Sequence, residues 1–336
     1  MKKKLFALLS VVLIVVMACS LAACKPASMF DGKYSKEATA EEAKSMWQSA
    51  RTSMGADSAS TLATAYDEDA QVKGWKGIKM NLTNKNEMGT KEDGVIDSMA
   101  TNVTASGAFL FDGSAMAITG KSEGTQVKGD NTKSVKSNVG LYAMDSTSYT
   151  NIGVNDSSLK VKMTADLGLA GEAIKNMLGE FTASFTNAAV NMIGELVCEM
   201  DYDAIIDHYD GFKAYINDSG DYIRIKYVFT AEMMADMMIN NSEREEFLKS
   251  ANLGECSIIL VSDKETKTFQ GAKMEINVSF KNETEEGEFW INTNTSASIE
   301  NCEKVDSSMP KDLDDYKDIK DLTINEVTEF FKSLNS

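Results

Sequence analysis

The sequence predicts an α+β fold, a large antiparallel β-sheet meander with helices packed on one face. Three observations predict it. Apolar residues recur at every second position over much of the chain, turn-forming residues separate those runs, and a helical period appears only in a few interruptions. The 336 residues are 43% hydrophobic and 25% charged, with two prolines, which excludes a disordered or collagen-like chain and a disulfide-stapled miniprotein. A chain of this size buries a sizeable core as one large domain or two small ones.

The chain opens with Lys2, Lys3 and Lys4, an apolar stretch from Leu5 to Met17, and then Leu21-Ala22-Ala23-Cys24. A basic segment, an apolar segment and small residues before a cleavage point are what export machinery reads. Leu-Ala-Ala-Cys resembles the lipobox of bacterial lipoproteins, whose cysteine is acylated and becomes the first residue. The competing reading, a transmembrane anchor from Leu5 to Ala22, is weakened by Ser10, Cys19 and Ser20. A second frame ending at Cys19 places Met17 where a small residue is usual and leaves a truncated apolar segment. The division is therefore a signal peptide over 1–23, a lipidated tether over 24–38 and a single antiparallel α+β domain over 39–336. Lipidation at Cys24 makes the membrane a partner and the location extracytoplasmic, anchored to the bacterial cell membrane, because several acyl chains hold where one is marginal.

After the tether, Thr39-Ala40-Glu41-Glu42 is a capping box, and Ala43, Met46, Trp47, Ala50 and Met54 follow at helical spacing up to Gly55. A helix over about 40–54 with Trp47 as packing anchor is expected. From Trp75 the period becomes two. Ile78, Met80 and Leu82 alternate with polar residues, as do Val103 and Ala105, and Phe109 and Phe111 lead into the hairpin dipeptide Asp112-Gly113. Ala115 to Thr119, Val139 to Met144, Ser148 to Ile152 and Leu159 to Thr164 continue the meander. In the second half, Phe212 to Ile216, Tyr222 to Phe229, Cys256 to Ser262, Thr268 to Lys281 and Glu288 to Ile299 are strands, making roughly eight to eleven in all.

Three further helices are expected: Leu167 to Cys198, Ala231 to Ala251, and Ile324 to Leu334 behind the capping box of Thr323 and Glu326. The first carries long apolar stripes with few charges, so it is either buried on both sides or a lid over a hydrophobic pocket. In the lid reading Phe181 and Phe185 contact a ligand, and the Met233, Met234, Met237 and Met238 cluster faces the same space. Methionine is flexible and polarizable and suits surfaces that accept varied apolar ligands. Core packing is the plainer use of the same residues.

Charge and motif content narrow the function classes. The chain holds 51 acidic against 34 basic residues and only three arginines, with no basic stripe, which speaks against nucleic acid. Its single histidine, His208, has no serine elbow to work with, and the Ser-x-x-Lys matches at Ser157 and Ser308 lack companion motifs. Asp201, Asp203, Asp207 and Asp210 depart from a calcium-loop spacing. Scattered Cys198, Cys256 and Cys302 form no zinc pattern and read as buried thiols, or as one disulfide and a free thiol. The reading is no enzyme, no catalytic residue, no metal and no cofactor. The run Lys311 to Asp321 reads as a solvated loop.

The order of elements, a lipobox, an amphipathic helix led by Trp47, and hairpin-connected strands with apolar helices inserted, resembles the LolA and LppX-like lipoprotein carriers. That resemblance implies a half-barrel sheet whose hollow face is plugged by helices and holds acyl chains. The expected function is thus a lipid-anchored binder or carrier of a hydrophobic small molecule or lipid. The alternatives are an envelope scaffold or partner-binding lipoprotein and, third, a solute-binding lipoprotein of a transporter, which would show a parallel, helix-flanked sheet in two lobes.

Overall fold

The structure, a computed structural model, describes residues 28–54, 74–110, 115–144, 147–155, 157–164, 193–194, 196–198, 200–238, 244–284, 287–305, 312–323 and 325–326. Among them one open sheet dominates. Its strands are β1 (Lys36–Glu37), β2 (Gly77–Glu92), β3 (Val95–Leu110), β4 (Ala115–Lys128), β5 (Asn131–Met144), β6 (Thr147–Val154) and β7 (Ser157–Thr164). The second half adds β8 (Lys213–Asn217), β9 (Tyr222–Val228), β10 (Asn252–Leu253), β11 (Ser257–Asp263), β12 (Phe269–Thr284), β13 (Gly287–Asn301) and β14 (Lys317–Asp318).

The order across the sheet is β1-β8-β9-β11-β12-β13-β2-β3-β4-β5-β6-β7-β14, with β10 pairing β12. Two meanders, β2 to β7 and β8 to β13, are joined where β13 runs antiparallel to β2 from Glu288↔Lys91 to Asn301↔Ile78. Every pairing is antiparallel except β14 with β7, the hairpin-connected neighbours necessarily so. The two-lobed parallel sheet of a solute-binding lipoprotein is therefore not what these strands form.

The sheet has fourteen strands where eight to eleven were expected. The difference is β1, β10 and β14, two residues each, too short to show a period. The long strands also reach further than their apolar runs. β2 and β3 each span 16 residues, and their ends Thr83 to Glu92 and Val95 to Asn102 are mostly exposed or half-buried. With neither side fully covered, no apolar alternation marks those ends. The β2–β3 hairpin closes on Asp93 and Gly94, both at positive φ (49° and 79°), a conformation that glycine adopts freely. β3 and β4 pair antiparallel in register Phe109↔Met116, and the expected hairpin dipeptide Asp112-Gly113 lies outside the described residues.

Helices pack on the sheet face that carries Ile78, Met80, Leu82, Ile225, Tyr227, Ile258, Leu260, Ala272 and Met274, the inner face here. Helix α1 (Ala40–Ser53) starts at the expected capping box: Thr39 Oγ1 accepts from the Glu42 amide at 3.2 Å, and Glu42 accepts from the Thr39 amide at 2.8 Å. Its Trp47 is fully buried, edge-on to Tyr227 at 5.0 Å, and donates its indole N–H to the Met200 carbonyl at 3.0 Å. Helix α2 (Tyr202–His208) packs beside it.

Other expectations are redrawn. Residues read as a polar tether belong to the folded body from Ser28 onward: Phe30 is buried against Ile259 and Val261 on the outer face, and β1 pairs with β8. The tether reading failed because a single apolar pair, Met29-Phe30, has no period. The range read as one helix from Ala231 to Ala251 contains α3 (Ala231–Met238) and α4 (Arg244–Ser250), which pack against each other, Arg244 pairing with Asp236 at 2.6 Å. Of Leu167 to Cys198 only 193–194 and 196–198 are described; they are helical, with Ile193, Leu196 and Val197 in the core. The Thr323–Glu326 capping box forms, while 327–336 lie outside the described residues. The run Lys311 to Asp321 is no free loop from Asp312 on, because Tyr316 is buried edge-on to Tyr149 at 5.5 Å and β14 pairs with β7.

Candidate functional site

Strand register sets side chains into rows that cross the inner face. One row runs Met274, Ala297, Leu82, Ala105 and, across β4, Val139; its neighbour runs Ala272, Ile299, Met80, and then Ile118 and Leu141. All of these are buried and apolar. The next row toward the β2–β3 hairpin is different: Ile276, Thr295, Asn84, Val103, Ser122 and Ser137. Ser122 and Ser137 are directly paired across β4 and β5 and are 3% and 5% exposed. Neither hydroxyl has a hydrogen-bond partner, nor does Asn84 Oδ1. Burying a polar group unpaired costs about 1–3 kcal/mol, so two hydroxyls and an amide oxygen in one row are a feature to explain.

Beyond that row the face opens. Gly124 pairs with Val135, and a methyl group placed on Gly124 would meet nothing within 4 Å. One row further, Phe280, Ile291, Met88 and Met99 are successive cross-strand neighbours, with Met88 and Met99 36% and 47% exposed. The inner face thus passes from dry core, through buried unpaired hydroxyls and the row of Thr293, Asn86 and Thr101, to the partly accessible pair Met88 and Met99 beside buried Phe280.

The outer face carries a cleft of about 510 Å³ near the same end, lined by Lys91, Ile96, Lys281, Glu288 and Trp290 with Ser250 at the end of α4. Glu288 accepts from Lys281 at 3.0 Å and Lys91 at 3.4 Å, and those hydrogen bonds, Lys281's first, hold its carboxyl below the usual range. The charges of this cleft satisfy one another.

The ligand-contacting residues expected from sequence fare unequally. Phe181 and Phe185 lie outside the described residues. Met233 and Met234 are fully buried in the main core, Met237 is 41% exposed in the last turn of α3, and the side chain of Met238 lies outside the described set. Helical spacing had put these methionines on one side, but α3 is only eight residues long and Met237 falls past the buried patch. The residues that sequence reading missed are Asn84, Ser122 and Ser137. Their signal, a polar residue interrupting each strand's apolar alternation, acquires meaning only once the register aligns them.

The remaining candidates have structural occupations. Asp201 caps α2 and pairs with Arg51 at 3.1 Å, while Asp203 pairs with Lys44. His208 stands edge-on to Tyr209. Lys160 of the first Ser-x-x-Lys match is engaged by Asp312 and by Asp315 at 3.0 Å. Of the three scattered cysteines, Cys256 donates to the Asn277 carbonyl and burial raises its pKa, and Cys302 donates to the Lys304 carbonyl at 2.9 Å.

No family model matches the chain, and no curated protein is similar to it at a significant level. Among solved structures, a DUF1329 family protein from Desulfovibrio piger aligns at 10% identity over 70% of this chain and 88% of its own. Its TM-score is 0.12, too low to carry an argument about fold or function.

Proposed function

We propose that the protein is an extracytoplasmic lipoprotein, acylated at Cys24 and anchored to the cell membrane, that binds or carries a hydrophobic or lipid ligand on the inner face of its sheet. One observation supports the ligand reading most: beyond the polar rows of Asn84 and Asn86, Met88 and Met99 stand as direct cross-strand neighbours on that face, 36% and 47% exposed. A pair of apolar side chains open at the end of a core face is a contact that an apolar ligand can use. A half-barrel curvature, with Phe181 and Phe185 on a covering helix, belongs to this reading.

The test is mass spectrometry of an organic extract of the protein purified from its own membrane. Lipid above the level of a control lipoprotein is expected, and Met99→Asp, at an exposed position, should lower it without shifting the thermal midpoint. Extract indistinguishable from the control would reject the carrier reading. The second reading, an envelope scaffold, is favoured by the burial of Met233 and Met234 in the core, where they serve packing alone.

A further inference from the structure

We infer that Asn84, Ser122 and Ser137 form the recognition site for the uncharged, ester-bearing middle of an amphiphile, a neutral glyceride, on the inner face. The inference rests on the carrier reading and deepens it by naming the ligand class.

The hydrogen-bonding inventory sets the class. The two serine hydroxyls can each donate, and Asn84 Oδ1 accepts, all three without a partner inside the protein. A diacylglycerol offers the complement: two ester carbonyls that accept and one hydroxyl that donates. Ser122 and Ser137 are direct cross-strand partners, so two neighbouring carbonyls can be met at once. Asn84 lies two strands away, separated by Val103 of β3.

Charge excludes the ionised relatives. Along the ladder, the row of Ser122 and the rows on either side of it carry no charged residue among the described strands. The first charged residue on that face of β5 is Lys133, four positions from Ser137, and on β4 it is Lys128, six from Ser122. A carboxylate or phosphate placed at the hydroxyls would be buried without a counter-charge, whereas an ester requires none. Space and chains also fit. A Cβ built on Gly124, in the row next to Ser122, would meet nothing within 4 Å, apolar Leu82 and Val139 lie on the core side, and Met88 and Met99 lie on the open side.

The experiment measures transfer of four fluorescent-tagged probes, dioleoylglycerol, oleate, dioleoyl phosphatidylglycerol and a plain hydrocarbon, from vesicles to the full acylated protein stripped of co-purified lipid. Dioleoylglycerol is expected to bind at least tenfold more tightly than either anionic probe. Ser122→Ala with Ser137→Ala should weaken dioleoylglycerol about tenfold or more, two neutral hydrogen bonds being removed, and leave a tagged hydrocarbon unaffected. Ser137→Thr, which keeps a hydroxyl, should restore part of the loss. The lipid-free double variant should be no less stable than the parent, since its lost hydroxyls had no protein partner. Equal binding of oleate or phosphatidylglycerol, or unchanged dioleoylglycerol binding by the double variant, would overturn the neutral-glyceride site while leaving a hydrophobic carrier intact. Failure of the parent to take up any probe, hydrocarbon included, would reject the carrier reading itself.

Discussion

Trp290 of β13 covers Gly89 of β2, its direct cross-strand partner: a Cβ built on Gly89 would lie 2.4 Å from the indole Cζ2 and 2.7 Å from the Ser98 Cβ. The indole N–H reaches Glu87 at 3.3 Å. Gly89→Ala therefore has to push the ring off the sheet. A loss of about 1–2 kcal/mol and a red-shifted tryptophan emission are expected, since overpacking forces side chains out of their rotamers. Trp47 and Trp75 are buried elsewhere and stay silent. Unchanged emission would contradict the packing described.

Trp47 bears the contact between α1 and the sheet. Trp47→Ala removes a fully buried indole and leaves the Met200 carbonyl without its donor, so a loss of about 3–5 kcal/mol is expected in chemical denaturation. Trp47→Phe should cost distinctly less.

Capping carboxylates set an acid limit. Glu326 is lowered to about 2, chiefly by hydrogen bonds from Lys317 and then Thr323, and Glu42 is lowered by the Thr39 amide. A carboxylate whose folded pKa is depressed contributes stability above its ordinary pKa and loses it as pH falls through the folded value. The denaturation midpoint should thus fall between about pH 5 and pH 2. Glu326→Gln should be less stable than the parent at pH 7, with the two converging by about pH 2; a constant gap would refute the assignment.

Arg224 pins the N-terminal segment. It donates to the carbonyls of Met29 and Ser219, the latter at 2.8 Å, and its guanidinium lies over Tyr222 at 5.4 Å. Nearby Tyr34 is pushed up to about 12 by burial and donates to the Phe30 carbonyl at 2.7 Å. Arg224→Ala should expose 28–38 to limited proteolysis at concentrations that leave the parent intact.

Acylation is checked by metabolic labelling with palmitate. Cys24→Ala should abolish incorporation and leave uncleaved precursor, and undiminished labelling would sink the lipoprotein proposal.

What was legible in the sequence follows from what was half-buried. Ile78-Met80-Leu82 and the alternation from Met274 to Phe280 announced strands because one face meets the core. Thr83 to Glu92 did not, because with neither face fully covered the composition carries no period. Thr39 and Glu42 are a local motif and could be read outright. The hydroxyl row is nonlocal: Ser122 and Ser137 are separated by a hairpin and Asn84 by another, so only register brings them together. Tyr316 was hidden among charges, one aromatic with no periodic companions.

The docking of Met29 and Phe30 on the sheet shortens the leash. With Cys24 acylated, Lys25, Pro26 and Ala27 alone separate the lipid from Ser28, a reach of at most about 14 Å at 3.6 Å per residue. Met29 touches the sheet beside Gly271, at the β2 end where Lys79 pairs with Glu300. In the proposed acylated form that end stands at the bilayer. Sixteen residues of β2 then carry the Asp93-Gly94 hairpin about 50 Å along the strands from it. Met88 and Met99 sit near this far end, so under the proposed carrier function a ligand admitted there would be received from the water-filled envelope and whatever lies across it, not from the leaflet holding the anchor.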